Sequence, residues 1–362
     1  MRIVLLYGGD SAEHDISVLT AASILKHLDY KKHQVQPVFI DREGQWIAGE
    51  LLEEYSLSED SILYLEASDQ QHFYRQGEAE ISQGLAVVPT DVLTKDSLAF
   101  PALHGPNGED GTIQGLFEAL NVPYTGAGVL ASAAGMDKII SKQLFQQAQI
   151  PQVPFVALTS YQYETERSEV IARIEGQLVY PVFIKPANMG SSVGITQAQD
   201  RDALLQGLET AFHYDTRVVV EQGIEAREIE VAVLGNEEVQ VSQPGEIVKD
   251  QGFYDYEEKY INNSIEMAIP ADLPEESAQA IQAYAKKAYL AIDGSGLTRC
   301  DFFVTHNMDI YINEVNTMPG FTQFSMYPSL WAASGLSYED LLEKLLNLAL
   351  ERFNKKQGLA NQ

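Results

Sequence analysis

Two β-rich runs near the end of the chain, Cys300 to Thr305 and Ile310 to Asn316, flank a short polar turn, His306-Asn-Met-Asp309. This spacing predicts an antiparallel hairpin, and no other feature restricts the fold of the C-terminal part as tightly. If Thr305 pairs with Ile310, Asp301 falls opposite Glu314 and Arg299 opposite Asn316. Strand side chains alternate faces with period two, so all four polar groups share one face. Two carboxylates held about 4 Å apart repel by about 4 kcal/mol at an effective dielectric near 20. A divalent cation would reverse that sign. Two acids and an amide beside an arginine offer only oxygen ligands, which suits Mg²⁺ shared with a phosphate. The plainer alternative is an exposed hairpin with a charged outer face.

At 362 residues the chain has room for two or three domains with real cores. No uninterrupted apolar run approaches the roughly 18 residues needed to span a bilayer. The opening strand reaches Gly8 and Gly9 too soon for a secretory signal. One cysteine excludes an internal disulfide framework and fits a reducing compartment. The 24 basic and 52 acidic residues leave a net charge of -28, which argues against a nucleic-acid partner. A polyphosphate would be repelled by such a surface, so a site for one must gather the few cations locally.

The first segment reads as an α/β unit: a buried strand Ile3 to Leu6, a Gly-Gly turn, an apolar-periodic helix Ile16 to Leu28 and a strand Val35 to Ile40. Residues 42 to 94 are acidic and weakly periodic, a peripheral elaboration with no assigned chemistry. A strand from Leu98 ends in the loop His104-Gly-Pro-Asn-Gly-Glu-Asp-Gly111, followed by a helix from Thr112. One Ala/Ser-rich helix should carry Asp137 and Lys138. The strand Val179 to Ile184 leads into Lys185-Pro-Ala-Asn-Met-Gly190-Ser-Ser-Val-Gly194. Glycines there would let backbone N–H groups face an anion, with hydroxyls and the lysine adding donors. Strand Val218 to Glu221 passes into an irregular segment that could read an adenine edge, Glu221 accepting from the amino group. Residues 252 to 263 lack periodicity and suggest a mobile loop. Cys300, adjoining Asp301, should point to the opposite hairpin face as a small buried hydrophobe.

Lysines before a glycine loop, a strand-to-coil segment and a cross-strand acid pair with Arg299 resemble the ATP-grasp superfamily in type and order. Six motifs are closer still: Glu13-His-Asp-Ile-Ser17, Leu103 to Gly111, Met136-Asp-Lys138, Lys185 to Gly194, Gly252-Phe-Tyr-Asp-Tyr-Glu-Glu-Lys-Tyr260 and Asn313-Glu-Val-Asn-Thr-Met-Pro-Gly320. Together they resemble the D-alanine–D-alanine ligases, over nearly the whole chain apart from 42 to 94. That resemblance implies an α/β, three-domain ATP-grasp architecture: an N-terminal domain 1–125, a central subdomain 126–220 and a C-terminal subdomain 221–362 with a lid at 244–265. It implies ATP as co-substrate and Mg²⁺ or Mn²⁺, commonly two ions, on Asp301, Glu314 and Asn316. Lys138 and Lys185, with Ser191 and Ser192, would hold the phosphates, and Lys259 would arrive on the lid. Phe183, Glu221, Gln222 and Ile224 would border the adenine, and Glu228 the ribose. Glu13 would accept from the first ammonium, with His104 near the first carboxylate. Ser191 and Tyr260 would complete a hydrogen-bonded triad with Glu13. Arg299 and the Gly320 N–H would stabilise the oxyanion, and Ser325 with Met326 would hold the second carboxylate. The resemblance also implies a homodimer in a bacterial cytoplasm, serving peptidoglycan synthesis, without nucleic acid or membrane. Tyrosine at 260 favours amine over hydroxy-acid acceptors. Ligases for D-lactate or another amino acid remain open alternatives. A non-catalytic ATP-binding module should have lost a metal ligand or the lid, and neither is missing.

Overall fold

The computed structural model describes residues 1–55, 64–67, 73–74, 82–248 and 266–359. Strand β1 (Arg2–Gly8) is buried from Ile3 onward. Such an apolar run without alternation is expected of a parallel strand covered on both faces. It pairs in parallel with β2 (Gln34–Ile40) and with β7 (Ser97–Pro101). The helix His14–His27 crosses between β1 and β2 and buries Val18, Ala21 and Ile24. Beyond β2 lie β3 (Trp46–Ala48), β4 (Tyr64–Ala67), β5 (Phe73–Tyr74) and β6 (Ser82–Val87), in the order β5-β4-β6-β3-β2-β1-β7. The stretch expected to be peripheral therefore extends this sheet. Strands of two to six residues are too short to display a period that sequence can reveal.

The central sheet orders β10 (Thr196–Ala198), β9 (Val182–Pro186), β11 (Arg217–Gln222) and β8 (Phe155–Thr159) side by side. The third sheet runs β15-β14-β12-β16-β17, made of β12 (Arg227–Gly235), β14 (Gly245–Val248), β15 (Glu266–Ala268), β16 (Gly296–Val304) and β17 (Ile310–Asn316), with β13 (Gln240–Val241) pairing β12. β14 occupies part of the span expected as a lid. The rest of that span, 249–265, with Lys259 and Tyr260, lies outside the described residues.

The expected single helix around Asp137 is two, Val129–Met136 and Lys138–Gln147. Asp137 ends the first in an extended conformation and caps the second, accepting from the N–H groups of Ile139 and Ile140 at 3.0 and 2.9 Å. Short polar side chains compete with the helical ladder in this way. The break turns Lys138 inward, where it is buried rather than solvent-facing.

The C-terminal helix Tyr338–Gln357 is capped by Ser337, which accepts from the Asp340 N–H; a serine followed three residues later by an acid is the capping-box spacing legible in the sequence. Its Leu341, Leu342 and Leu345 share one core with Ile3, Leu5 and Tyr7 of β1 and with Leu234 and Leu297 of the third sheet. Burying each such side chain contributes about 1.5–3 kcal/mol. The N-terminal loop after β1 is thereby held over the strands that carry Arg299 and Asp301.

Candidate active site

The hairpin brings its polar groups together as expected: Arg299 pairs with Asn316 and Asp301 with Glu314. Toward the turn, however, Val304 rather than Thr305 pairs with Ile310, because a bulge lies between the Asp301 and Phe302 pairs. The one-residue error at the turn and the extra residue at Asn313 cancel. Arg299 donates from Nε to Asp301 Oδ1 at 2.7 Å and from Nη2 to Oδ2 at 2.8 Å, a bidentate pair. Its Nε also lies 3.0 Å from Glu230 Oε2 on β12. Asn316 Nδ2 donates to Asp301 Oδ2 at 2.9 Å, and Lys138 Nζ stands 3.4 Å from Glu314 Oε2. Burial pushes the Asp301 carboxyl upward; Arg299 opposes this, and Glu314 adds to it. The set fits a divalent cation: a buried acid, a second acid opposite it and an amide oxygen, all hard donors. Among the described residues no group of three or more His, Cys, Asp or Glu side chains is arranged to hold a metal ion by itself.

A second cluster builds on β9, β11 and the helix Lys138–Gln147. Glu221 is buried between two lysines, 2.8 Å from Lys185 Nζ and 3.0 Å from Lys142 Nζ. Burial alone would raise its carboxyl, but the two ammonium groups outweigh that and bring it down to about 2. The same burial lowers the Lys142 ammonium, whereas Lys185 is raised because Glu221 and Glu314 overcome desolvation. Lys185 also donates to Asn313 Oδ1 at 3.2 Å, joining the bulge to the phosphate side. The carboxylate of Glu221, expected to accept from an adenine amino group, is thus also the partner that neutralises two lysines. The Gln222 side chain is likewise committed, accepting from Val179 N–H and donating to the Val179 and Gly223 carbonyls. Sequence spacing could not foresee this, because the partners come from other elements.

The loop after Lys185 is anchored by Asp215 Oδ2, which accepts from the Asn188 N–H at 2.9 Å and from its side-chain amide at 3.0 Å. Ser191 and Ser192 both take left-handed φ values, 47° and 60°. Each such residue costs of order 1–2 kcal/mol, strain that tends to sit at functional sites. Ser191 Oγ donates to Glu13 Oε1 at 2.5 Å, joining the central loop to the N-terminal loop. The third member of the expected triad, Tyr260, is outside the described residues.

These groups line two adjoining spaces. A cleft of about 1260 Å³ is bordered by Lys138, Phe183, Lys185, Ser191, Ser192, Glu221, Gln222, Ile224 and Glu228 on one side. Arg299, Asp301, Glu314, Gly320, Ser325 and Met326 border it on the other. A chamber of about 70 Å³ opens beside it, lined by Glu13, His104, Glu109, Arg299, Asn316 and Gly320. His104 is buried, its Nδ1 donating to the Met318 carbonyl at 2.9 Å and its Nε2 meeting Thr20 Oγ1 at 3.1 Å. Both ring nitrogens are thus taken by protein. His104 lines the chamber, and its imidazole links the N-terminal helix to the segment before Gly320. Burial lowers its pKa, consistent with a neutral ring.

The family model described as "D-ala D-ala ligase N-terminus" matches residues 2–127, and that described as "D-ala D-ala ligase C-terminus" matches residues 144–347. The chain belongs to the D-alanine–D-alanine ligase family. Its relatives include D-alanine–D-alanine ligases from Enterococcus faecalis, 56% identical over 98% of this chain and 100% of that one, and from Enterococcus hirae, 53% identical over 99% and 98%. Among solved structures, the D-alanine–D-alanine ligase of Coxiella burnetii superposes with a TM-score of 0.77 at 33% identity, covering 99% of this chain and 96% of its own. A D-Ala:D-Ser ligase from Enterococcus faecalis gives 0.78 at 34%, covering 96% and 99%. The fold is therefore that of the ATP-grasp ligases, as the motifs implied.

Four residues of the site escaped the reading of the motifs. Glu109 lies inside a quoted motif, yet only His104 was assigned there. Lys142 stands one helical turn after Lys138, a spacing that places both on one face. Glu230 is two residues beyond Glu228 and opposite Asp301 across β12 and β16. Asn313 is the bulge itself. Cys300 is buried on the opposite face, as alternation requires, and burial raises its thiol.

Proposed function

We propose that this chain joins two D-alanine molecules into D-alanyl-D-alanine, converting ATP to ADP and phosphate through an acyl-phosphate intermediate. The observation that carries the reading is the junction of the two spaces. Lys138, Arg299, Glu314 and Gly320 border both, so a phosphoryl donor in the cleft would meet a carboxylate in the chamber.

Phosphoryl transfer needs positioning and charge neutralisation more than covalent help. Lys138 and Lys185 bind the phosphates, with the Ser191 and Ser192 loop beneath, while Phe183, Ile224 and Glu228 border the nucleoside. Mg²⁺ or Mn²⁺ on Asp301, Glu314 and Asn316 would neutralise the transferring group. Glu13, oriented by Ser191, accepts from the first ammonium. Arg299 and the Gly320 N–H stabilise the oxyanion formed when the second amine attacks; removing one such donor typically costs about 3–4 kcal/mol in rate. Ser325 and Met326 hold the second carboxylate. Lys259 and Tyr260 would complete the site, the Tyr260 hydroxyl favouring an amine acceptor. We further propose three domains, one around each sheet, a homodimer and a bacterial cytoplasmic setting in which the product feeds peptidoglycan synthesis. Among the described residues no helix is long and apolar enough to cross a membrane.

The likeness to a D-Ala:D-Ser ligase favours one second reading, a different acceptor at the second subsite. ADP release measured with D-alanine alone, with L-alanine, and with D-alanine plus D-serine or D-lactate separates the two. Turnover with D-alanine alone supports dipeptide synthesis; turnover only with an added second acceptor sinks it. In Tyr260→Phe, an unchanged ratio of dipeptide to D-lactate ester would remove the argument from that tyrosine.

A further inference from the structure

Glu109 is the one carboxylate of the small chamber without a task in the reaction described above. Its Oε1 accepts from the Gly105 N–H at 2.7 Å and lies 4.0 Å from His104 Nδ1, which is already donating to Met318. The residue is 9% exposed and lines the chamber. No hydrogen bond of its Oε2 occurs among the described residues. Gly105 separates it from Glu13: a Cβ at Gly105, where φ is +77°, would come within 2.7 Å of Glu13 Oε2. A Cβ at a second glycine, Gly190, would meet the same oxygen at 3.0 Å. Glu13 Oε1 meanwhile receives the Ser191 hydroxyl. Two glycines thus let two loops close around a pair of acids, each with one oxygen held by protein.

The same chamber is lined by Arg299 and Gly320. Two acids and a guanidinium lining one small chamber suit a small zwitterion. An α-ammonium offers three N–H donors, more than a single carboxylate already bonded to serine would satisfy. Burial, then the charge of Glu13, push the Glu109 carboxyl well above the usual range. A cation entering beside the two acids would lower it again.

We propose that Glu109 is a second acceptor for the ammonium of the first amino acid, and that with Glu13 it makes the first subsite selective for an amine-bearing acid. This rests on the ligase reading given above. It makes Glu109 a substrate-binding residue at one subsite only, and it explains an arrangement that folding alone would avoid.

The test uses the full chain and steady-state ADP release with D-alanine, resolving the Michaelis constants of the two subsites. Glu109→Gln keeps the shape and the bond from Gly105 while removing the charge. The first-site constant should rise at least tenfold, with the second-site and ATP constants within twofold of wild type. D-Lactate, which lacks the ammonium, should compete at the first subsite as well in the variant as in wild type. Thermal stability should be unchanged or higher, since a buried like-charge pair is relieved. A merely structural role would instead lower the melting temperature and move all three constants together. That pattern, or a first-site constant within twofold of wild type, overturns the proposal. Should the glutamine variant fail to fold, Glu109→Asp keeps a charge on a shorter stem and reads the same comparison. Its first-site constant alone should rise, and equal movement at both subsites refutes the idea. If wild type itself releases no ADP with D-alanine, it is the ligase reading that fails.

Discussion

Lys142→Met removes one cation from the buried Lys142–Glu221–Lys185 cluster and leaves every proposed ligand of ATP in place. Lys142 Nζ is 3.0 Å from Glu221 Oε1, and both side chains are almost wholly buried. At that separation the Coulomb attraction is about 5 kcal/mol at an effective dielectric near 20. Much of it is offset by the desolvation of Lys142, so the net loss of stability should be about 3 kcal/mol, the range found when one partner of a buried pair is removed. The functional effect has a separate size. With Lys142 present the cluster carries one net positive charge; without it, Glu221 and Lys185 cancel. For a phosphate bound beyond Lys185, one unit of charge acting over an assumed separation of about 8 Å is worth about 2 kcal/mol at the same dielectric, or about thirtyfold in affinity. ADP release at saturating D-alanine and varied ATP, with urea denaturation in parallel, measures both. The Michaelis constant for ATP should rise tenfold or more while kcat changes less, and Lys142→Arg should recover much of the affinity. A constant within twofold of wild type, in a variant destabilised as calculated, would show that Glu221 does not couple the two lysines.

Three further outcomes follow from the same geometry. Arg299→Met should abolish ADP release below detection and destabilise the fold by about 3–5 kcal/mol, because Asp301 and Glu230 lose their shared partner; wild-type stability in urea would refute the pairing. Because the Glu221 carboxyl is depressed to about 2, its contribution is fully present above its unfolded pKa near 4.5 and is lost as pH falls toward 2. Wild type should therefore lose stability progressively below pH 4.5, and Lys142→Met should lose less of it, because one ammonium fewer leaves the Glu221 carboxyl less depressed, with coincident acid titrations in the two proteins as the contrary result. The Cys300 thiol, buried and raised, should react with a thiol reagent only at the rate of unfolding; rapid native-state labelling would contradict its position against the Ala285 carbonyl.

What could be read directly from the residues was local and periodic. Alternation placed Arg299, Asp301, Glu314 and Asn316 on one face, and apolar continuity marked β1, β2 and β9 as buried. The capping pattern at Ser337 announced the last helix. The six motifs supplied the family and the order of its site residues. Partners brought from elsewhere in the chain belonged to the tertiary structure alone. The packing of β1 against the C-terminal helix sets Glu13 over Arg299, and the break at Asp137 turns Lys138 and Lys142 inward. Lys142 claims the carboxylate of Glu221, and Met318 and Thr20 claim both nitrogens of His104. The bulge at Asn313 shifted the turn without moving the acids. Periodicity reports which face a side chain occupies; only long-range packing decides which charge it meets there, and in buried clusters that meeting sets the chemistry.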